Sequence, residues 1–294
     1  MARIKRRLKS RAWKLLSVAL ESILLRGAVA RWSYHLGFHG RLGVTTHEVR
    51  LTKESGLPGP LVLAFASDFH AGVTTHPDLF SSLIDELIRQ RPDVLLLGGD
   101  FVDRKAQHVE VLVSRFSEFR PPLGKYAVIG NHDLYDDSEH IAAQLSAAGI
   151  EVLVNRNVSL PPPFDRVSIC GIDDPWLGRP DAEKAFNGAG PLRVFLSHSP
   201  DGLVVLNGNR FEVGFAGHTH GGQVAFRDGT VIVSPAGPVS RTHLWGRFES
   251  AENGPMIVSR GIGCSMFPIR INCDPELVIC KLYPSLTQTG QIES

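Results

Sequence analysis

Five short stretches of the chain each place an acidic, amide or imidazole side chain just beyond an apolar run. Asp68 and His70 follow LVLAFAS, Asp100 follows VLLLGG, Asn131 and His132 follow KYAVIG, and His198 follows LRVFLS. The fifth, FEVGFAGHTHGG, ends with His218 and His220 one residue apart between glycines. Taken singly, an Asp after a strand is usually a helix cap and a lone His is packed or solvated. Taken together they form a donor set. Imidazoles with carboxylates and no thiolate suit Mn, Fe or Zn, whereas Mg would take more oxygen and water. The set exceeds what a four-coordinate structural zinc uses, and a carboxylate can bridge two ions. The spacing therefore predicts a two-metal site with positions open to water.

Such a site needs elements that bring distant loops together. Residues 61–68 form an apolar run ending in a carboxylate. PDLFSSLIDELIRQ follows, with Leu79, Phe80, Leu83, Ile84, Leu87 and Ile88 at helical spacing. VLLLGGD, VEVLVSRFSEF, KYAVIGNHD and SEHIAAQLSAAG repeat the alternation, which predicts buried strands with crossover helices. After Glu151 strand-like segments dominate: EVLVN, RVSICGI, LRVFLSH, FEVGFAG, TVIVS, PMIVSR and ELVICKL. These predict a second sheet. In open α/β sheets the carboxyl ends of strands are where loops converge on ligands, and the candidate residues all follow such ends.

Composition narrows the function classes. A chain of 294 residues that is 43% hydrophobic can bury a sizeable core. Its 31 basic and 30 acidic residues give a net charge of +1, so no global field favours nucleic acid, and none is expected as a partner. Cys170, Cys264, Cys273 and Cys280 form no C-x-x-C pair and read as free thiols.

The one charge asymmetry is N-terminal. Arg3, Lys5, Arg6, Arg7, Lys9, Arg11 and Lys14 precede the first acidic residue, Glu21. The apolar stretch that follows is interrupted by Glu21 and Arg26, too soon for a spanning helix. Helical spacing stacks Arg3, Arg7, Arg11 and Lys14 on one face and Leu8, Leu15, Ala19 and Ile23 largely opposite. This predicts an amphipathic segment on an anionic membrane surface, peripheral at the cytoplasmic face of the cell membrane. Two competing readings are a cleaved export signal, for which Ala28-Val29-Ala30 has the A-x-A form, and a surface helix packed on the domain. Residues 1–45 are accordingly assigned to this membrane-associating segment and 46–294 to the catalytic domain.

In this order, SDFH, GGD, GNHD, LSHSP and GHTH resemble the five signature blocks of the calcineurin-like metallophosphoesterases, over residues 47–283. SRGIGCSMFPIRINCDPELVICKL, with GHTHGGQ, is similar to the bacterial membrane-associated branch. The resemblance implies a four-layer α/β sandwich of two mixed β-sheets flanked by helices. It implies two divalent metal ions, one held by Asp68, His70 and His220 and the other by Asn131, His198 and His218, with Asp100 bridging. A hydroxide between the ions would attack phosphorus in line, and His132 would protonate the leaving oxygen.

GGDFVDRK also resembles a block of the Ser/Thr protein phosphatases, which would make Asp103 orient His132 and Arg104 contact phosphate. Lys105 in place of a glycine, and Ile129 where those enzymes have arginine, argue against a protein substrate. The expected substrate is a phosphodiester, pyrophosphate or phospholipid-type phosphoester at the membrane. The alternatives are a soluble-nucleotide phosphodiesterase or an inactive scaffold. Loops 72–77, 102–108, 134–139, 173–181 and 238–250 would set specificity. Asp133 reads as structural, and His35, His39, His47, His76, His108, His140 and His243 as packed or solvated, with the mouth of the site a lesser alternative for His76.

Overall fold

A computed structural model describes residue 19 and residues 23–51, 56–232 and 237–285. The polybasic run at residues 3–14 lies outside these. The first sheet holds β1 (Gly43–Arg50), β2 (Leu61–Ala66), β3 (Val94–Leu97), β4 (Lys125–Ala127), β5 (Ile150–Val152) and β12 (Glu276–Tyr283), in the order β1-β12-β2-β3-β4-β5. β2 to β5 run parallel, and β12 is antiparallel to β2 but parallel to β1. The second sheet holds β6 (Arg156–Ser159), β7 (Val167–Gly171), β8 (Leu192–Leu196), β9 (Val213–Ala216), β10 (Gly246–Phe248) and β11 (Met256–Val258). Its order is β10-β11-β9-β8-β7-β6, with antiparallel pairs at both edges. Both sheets are mixed.

Strand periodicity sorts side chains between layers. In β2, Leu61, Leu63 and Phe65 face the inter-sheet core, where they join Val194, Leu196, Val213 and Phe215 of the second sheet. The alternate Ala64 and Ala66 face the helix layer, with Leu79, Leu83 and Leu87 of α2 (Asp78–Gln90). α3 (Glu110–Phe116) and α4 (Ser138–Ala147) contribute Leu112, Phe116, Ile141 and Leu145 to that same layer. On the far side, Phe195 and Ala216 pack with Ala182, Ala185 and Phe186 of α5 (Ala182–Phe186). Three buried clusters thus separate four layers: helices, sheet, sheet and helix.

Several details depart from the sequence expectation. EVLVN and ELVICKL supply β5 and β12 of the first sheet, not the second, because their registers pair with β4 and with β1 and β2. Ile88 keeps helical spacing yet is exposed, since the apolar face of α2 ends at Leu87. In TVIVS only an isolated bridge from Val231 to Ala225 is described. β6 and β10 went unread because RNVS and GRF lack a run of apolar residues. All four cysteines are free and buried, and burial pushes Cys170 and Cys280 up to about 12.

α1 (Ala28–His35) packs on the domain. The Ser33 hydroxyl donates to the Pro268 carbonyl, and the Tyr34 ring stacks on His76 at 4.3 Å. Ala30, the last residue of the A-x-A sequence, is buried there. His76 lines a cavity of about 290 Å³ beneath this helix with Arg26, Arg31, Val73 and Phe80. Among the described residues no helix is long and apolar enough to cross a membrane.

Candidate metal centre

The parallel strands deliver the predicted residues to one place. Asp68 and His70 lie just past β2, Asp100 past β3, Asn131 and His132 past β4, His198 past β8, and His218 and His220 past β9. Close approach of these loops requires glycine. A Cβ on Gly130 would lie 2.3 Å from Asp100 Oδ1 and 2.8 Å from His198 Cε1, and one on Gly217 would lie 2.3 Å from Asp68 Oδ2.

The side chains form two linked donor clusters. In the first, His70 Nε2 lies 2.9 Å from His220 Nε2, and His220 Nε2 lies 3.5 Å from Asp68 Oδ1. In the second, Asn131 Oδ1 is 3.0 Å from both His198 Nε2 and His218 Nδ1, and those two nitrogens are 3.2 Å apart. Asp100 stands between them, with Oδ2 3.5 Å from His70 Nε2 and 3.4 Å from His198 Nε2. Donor atoms of Asp68, His70 and His220 lie within 4.8 Å of one another, as do those of Asp100, His198 and His218.

The chemistry of this donor set fits divalent cations. His198 Nδ1 donates to the Gly98 carbonyl at 2.7 Å, so its Nε2 carries the lone pair or a second proton toward two acceptor oxygens. Convergent acceptors of this kind repel unless a cation sits among them. Electrostatics agree. Burial, and then neighbouring charge, hold His70 and His220 well below the usual imidazole pKa and His218 at about 3, so all three are the neutral form that ligates metal. Burial would also lower His198, but the charge and hydrogen bond of Asp100, aided by Asp68, outweigh it and hold its pKa well above normal. Burial acts to raise Asp100, yet His198 and His132 outweigh it and keep that carboxyl well below its usual range. Asp68 is pushed up to about 6, first by burial. The residues fit two sites sharing Asp100, of borderline N/O character suited to Mn, Fe or Zn.

Around the donors, four residues singled out from the sequence find specific places. His132 Nδ1 donates to the main-chain carbonyl of Asp103 at 2.7 Å, and its own N–H donates to Asp100 Oδ1 at 2.8 Å. The Asp103 carboxylate lies 3.8 Å from both His132 Nδ1 and His70 Nδ1, so it faces a donor imidazole as much as the predicted acid. Arg104 is buried, with Nε 3.3 Å from Asp103 Oδ2, and so is not a solvated surface arginine. Asp133 accepts from the N–H groups of Phe101, Val102 and Gly130, a structural role.

Sequence reading missed other members. Ser67 donates to Asp68 Oδ2 at 2.6 Å. Buried Arg270 reaches His220 Nδ1 at 3.3 Å while donating to the carbonyls of Gly263 and Cys273. A lone arginine in the apolar run SMFPIRIN was the available signal. The Trp176 ring lies 4.9 Å from His218 and donates from Nε1 to Asp201 Oδ2, which fixes it over the second cluster. An isolated tryptophan in the Gly- and Pro-containing loop 173–181 was the corresponding hint.

A sequence profile of the calcineurin-like phosphoesterases matches residues 61–222. The chain is 29% identical to phosphodiesterase YaeI of Escherichia coli, over 80% of this chain and 86% of that protein. It is 30% identical to an uncharacterized metallophosphoesterase of Aquifex aeolicus, over 74% of this chain and 83% of that protein. A third relative, a Danio rerio transmembrane protein with metallophosphoesterase domain, is 29% identical over 74% of this chain, which spans 52% of its length. With the profile spanning the loops from Asp68 to His220, the chain belongs to the calcineurin-like phosphoesterase family and is a metal-dependent phosphoester hydrolase.

Proposed function

We propose that the protein hydrolyses a phosphodiester, pyrophosphate or phospholipid-type substrate at a membrane surface through a two-metal site. Asp68, His70 and His220 would hold one ion, Asn131, His198 and His218 the other, and Asp100 both. The observation that carries this reading is the placement of one Asp100 oxygen within 3.5 Å of an imidazole nitrogen from each cluster. When bound, two such ions supply Lewis acidity to the phosphoryl group and an activated water.

The chain's own residues do the rest. His132, steadied at Nδ1 by the Asp103 carbonyl, presents Nε2 to protonate the departing oxygen. Asp103 positions His132 and His70. Arg104, paired with Asp103, is the proposed phosphate contact on that side of the site. Trp176 restricts the approach over His218.

Two features support the membrane part. The basic residues 3–14 would favour an anionic leaflet by about 1 kcal/mol each near the surface. One relative is itself named as a transmembrane protein. A substrate panel tests the proposal: alkyl and p-nitrophenyl phosphodiesters, a pyrophosphate and vesicle-borne phospholipid, offered to the Mn-loaded chain. A chain lacking residues 1–18 is compared, because residues from Leu24 onward pack into the domain. Soluble esters should be cleaved equally by both chains and vesicle lipid only by the full one. Vesicle binding should weaken with salt as charges beyond about 8 Å are screened. Cleavage of none of these esters by metal-loaded protein would end the substrate assignment.

A further inference from the structure

Three segments that are hydrogen-bonded to one another each expose large apolar side chains. On and after α1, Trp32 is 66% and Leu36 72% exposed, one helical turn apart, and Phe38 is half exposed. The loop at 264–271 adds Met266 and Phe267 at 55% and 59%. The turn at 223–232 adds Phe226 and Ile232, both at 58%. Hydrogen bonds tie the three together. The Ser33 hydroxyl donates to Pro268 O and Arg270 N donates to Phe38 O, which seats α1 on the loop. Gln223 Nε2 donates to the carbonyls of Ser265 and Phe267, and Ala225 N to Ile271 O, which seats the turn on its other side. The result is one hydrogen-bonded platform, whose turn starts three residues beyond His220.

Scattered exposed apolar residues need no explanation, but a gathered set of this size does. Its charge identifies the occupant. Between Ile23 and Arg41 the chain has Arg26, Arg31 and Arg41 and no acidic residue; the loop at 264–271 has none, and the turn offsets Arg227 with Asp228. Arg26 and Arg31 also rim the 290 Å³ cavity, whose walls include Ala30, Val73 and Phe80. Aromatic and aliphatic groups edged by arginine suit the headgroup and acyl boundary of an anionic bilayer, where a tryptophan ring is at home. A second copy of this chain would bring the same positive charge to the contact.

We infer that this face of the folded domain, formed by α1 and the segments 223–232 and 264–271, is a docking surface for an anionic lipid bilayer. It acts together with the basic N-terminal run and seats the domain on the leaflet by way of the platform next to the His220 loop. The inference rests on the membrane reading proposed above.

The test is cosedimentation of the full chain with phosphatidylcholine vesicles containing phosphatidylglycerol. The variant Trp32→Ser/Leu36→Ser/Phe267→Ser loses three exposed apolar groups, so its fold and its turnover of a soluble p-nitrophenyl phosphodiester should be unchanged. Vesicle affinity should fall by roughly tenfold or more. Independently, bromine on the acyl chains should quench tryptophan emission of a Trp13→Phe chain, and adding Trp32→Phe should remove most of that quenching. If the unmutated chain binds and the triple variant binds equally, the surface is wrong while the membrane reading stands. No binding by the unmutated chain removes both. A concentration-dependent dimer abolished by the triple variant, with vesicle affinity unmoved, would assign the face to a second copy and overturn the inference.

Discussion

Replacing His132 by Ala separates proton donation from metal binding. His132 Nδ1 is bonded to the Asp103 carbonyl at 2.7 Å, and the proposal assigns Nε2 to the substrate. A positioned acid contributes roughly 10² to 10⁴ in rate when the leaving oxygen is basic, or about 3 to 5 kcal/mol of transition-state stabilisation. An alkyl phosphodiester should therefore lose that full factor in kcat/KM. A p-nitrophenyl diester, whose leaving group is a stable phenolate, should lose under about tenfold. Bound metal, counted by elemental analysis, should be unchanged. Asp103→Asn should behave differently. The carbonyl that holds Nδ1 survives the substitution, and the carboxylate at 3.8 Å is too far to be a direct hydrogen-bond partner of His132. Its negative charge, equally close to His70 Nδ1, would still favour a cation on that imidazole, so its loss should weaken metal binding and slow both esters alike. Equal losses on both esters with His132→Ala would refute the acid assignment, and metal loss in that variant would make His132 a ligand.

Four further outcomes follow from the same geometry. Asp100→Ala should abolish turnover and strip more metal than any outer-ligand substitution, because Asp100 faces both clusters; purified active protein without transition metal, and insensitive to chelators, would contradict the two-metal site. Metal affinity should rise with pH by up to about tenfold per unit, as His198 must lose a proton that Asp100 holds on it in the metal-free protein; a chelator-buffered titration showing no pH dependence would remove that linkage. The sign for stability is opposite: His198's folded-state pKa lies above its unfolded 6.5, so metal-free protein keeps that contribution below pH 6.5 and loses it as pH rises, which urea unfolding across pH would show. Gly130→Ala should inactivate, since its Cβ would press on Asp100 and His198, and wild-type activity with normal metal content would disprove the close approach.

The candidate ligands are legible because they sit at fixed offsets from strand ends, and a strand of apolar residues is the strongest local signal a sequence offers. Asp68, Asp100 and Asn131 could be read in this way before any contact was known. Arg270 and Ser67 could not, since their roles arise only when a loop 50 residues from His220 and a hydroxyl beside Asp68 fold inward. Asp103 shows the intermediate case. Its neighbourhood was readable from GGDFVDRK, but whether its carbonyl or its carboxylate met His132 depended on a backbone path that residue types do not encode. β12 illustrates a further limit, because ELVICKL reads as a strand anywhere and only tertiary pairing places it between β1 and β2.

The backbone at the centre explains why so many predicted ligands are also conformational exceptions. Asp68, His70, Asp100, His218 and His220 all have positive φ, between 43° and 72°. For residues with a Cβ such a conformation is disfavoured, and it persists only where surrounding contacts over-determine it. Those contacts come from within the site. Asp68 accepts the His218 N–H with both carboxylate oxygens, Asp100 accepts the His132 N–H, and His70 N donates to the Asp100 carbonyl. Each left-handed residue thus aims a side chain inward while its neighbour's main chain holds the turn. The Asp68 and Asp100 carboxylates and the His198 imidazole are oriented by hydrogen bonds to the backbone. The pair H-x-H at 218 and 220 follows from this arrangement. With both residues at positive φ on either side of Thr219, one short loop sends Nδ1 of His218 to the Asn131 cluster and Nε2 of His220 to the His70 cluster, so a single turn serves both halves of the site.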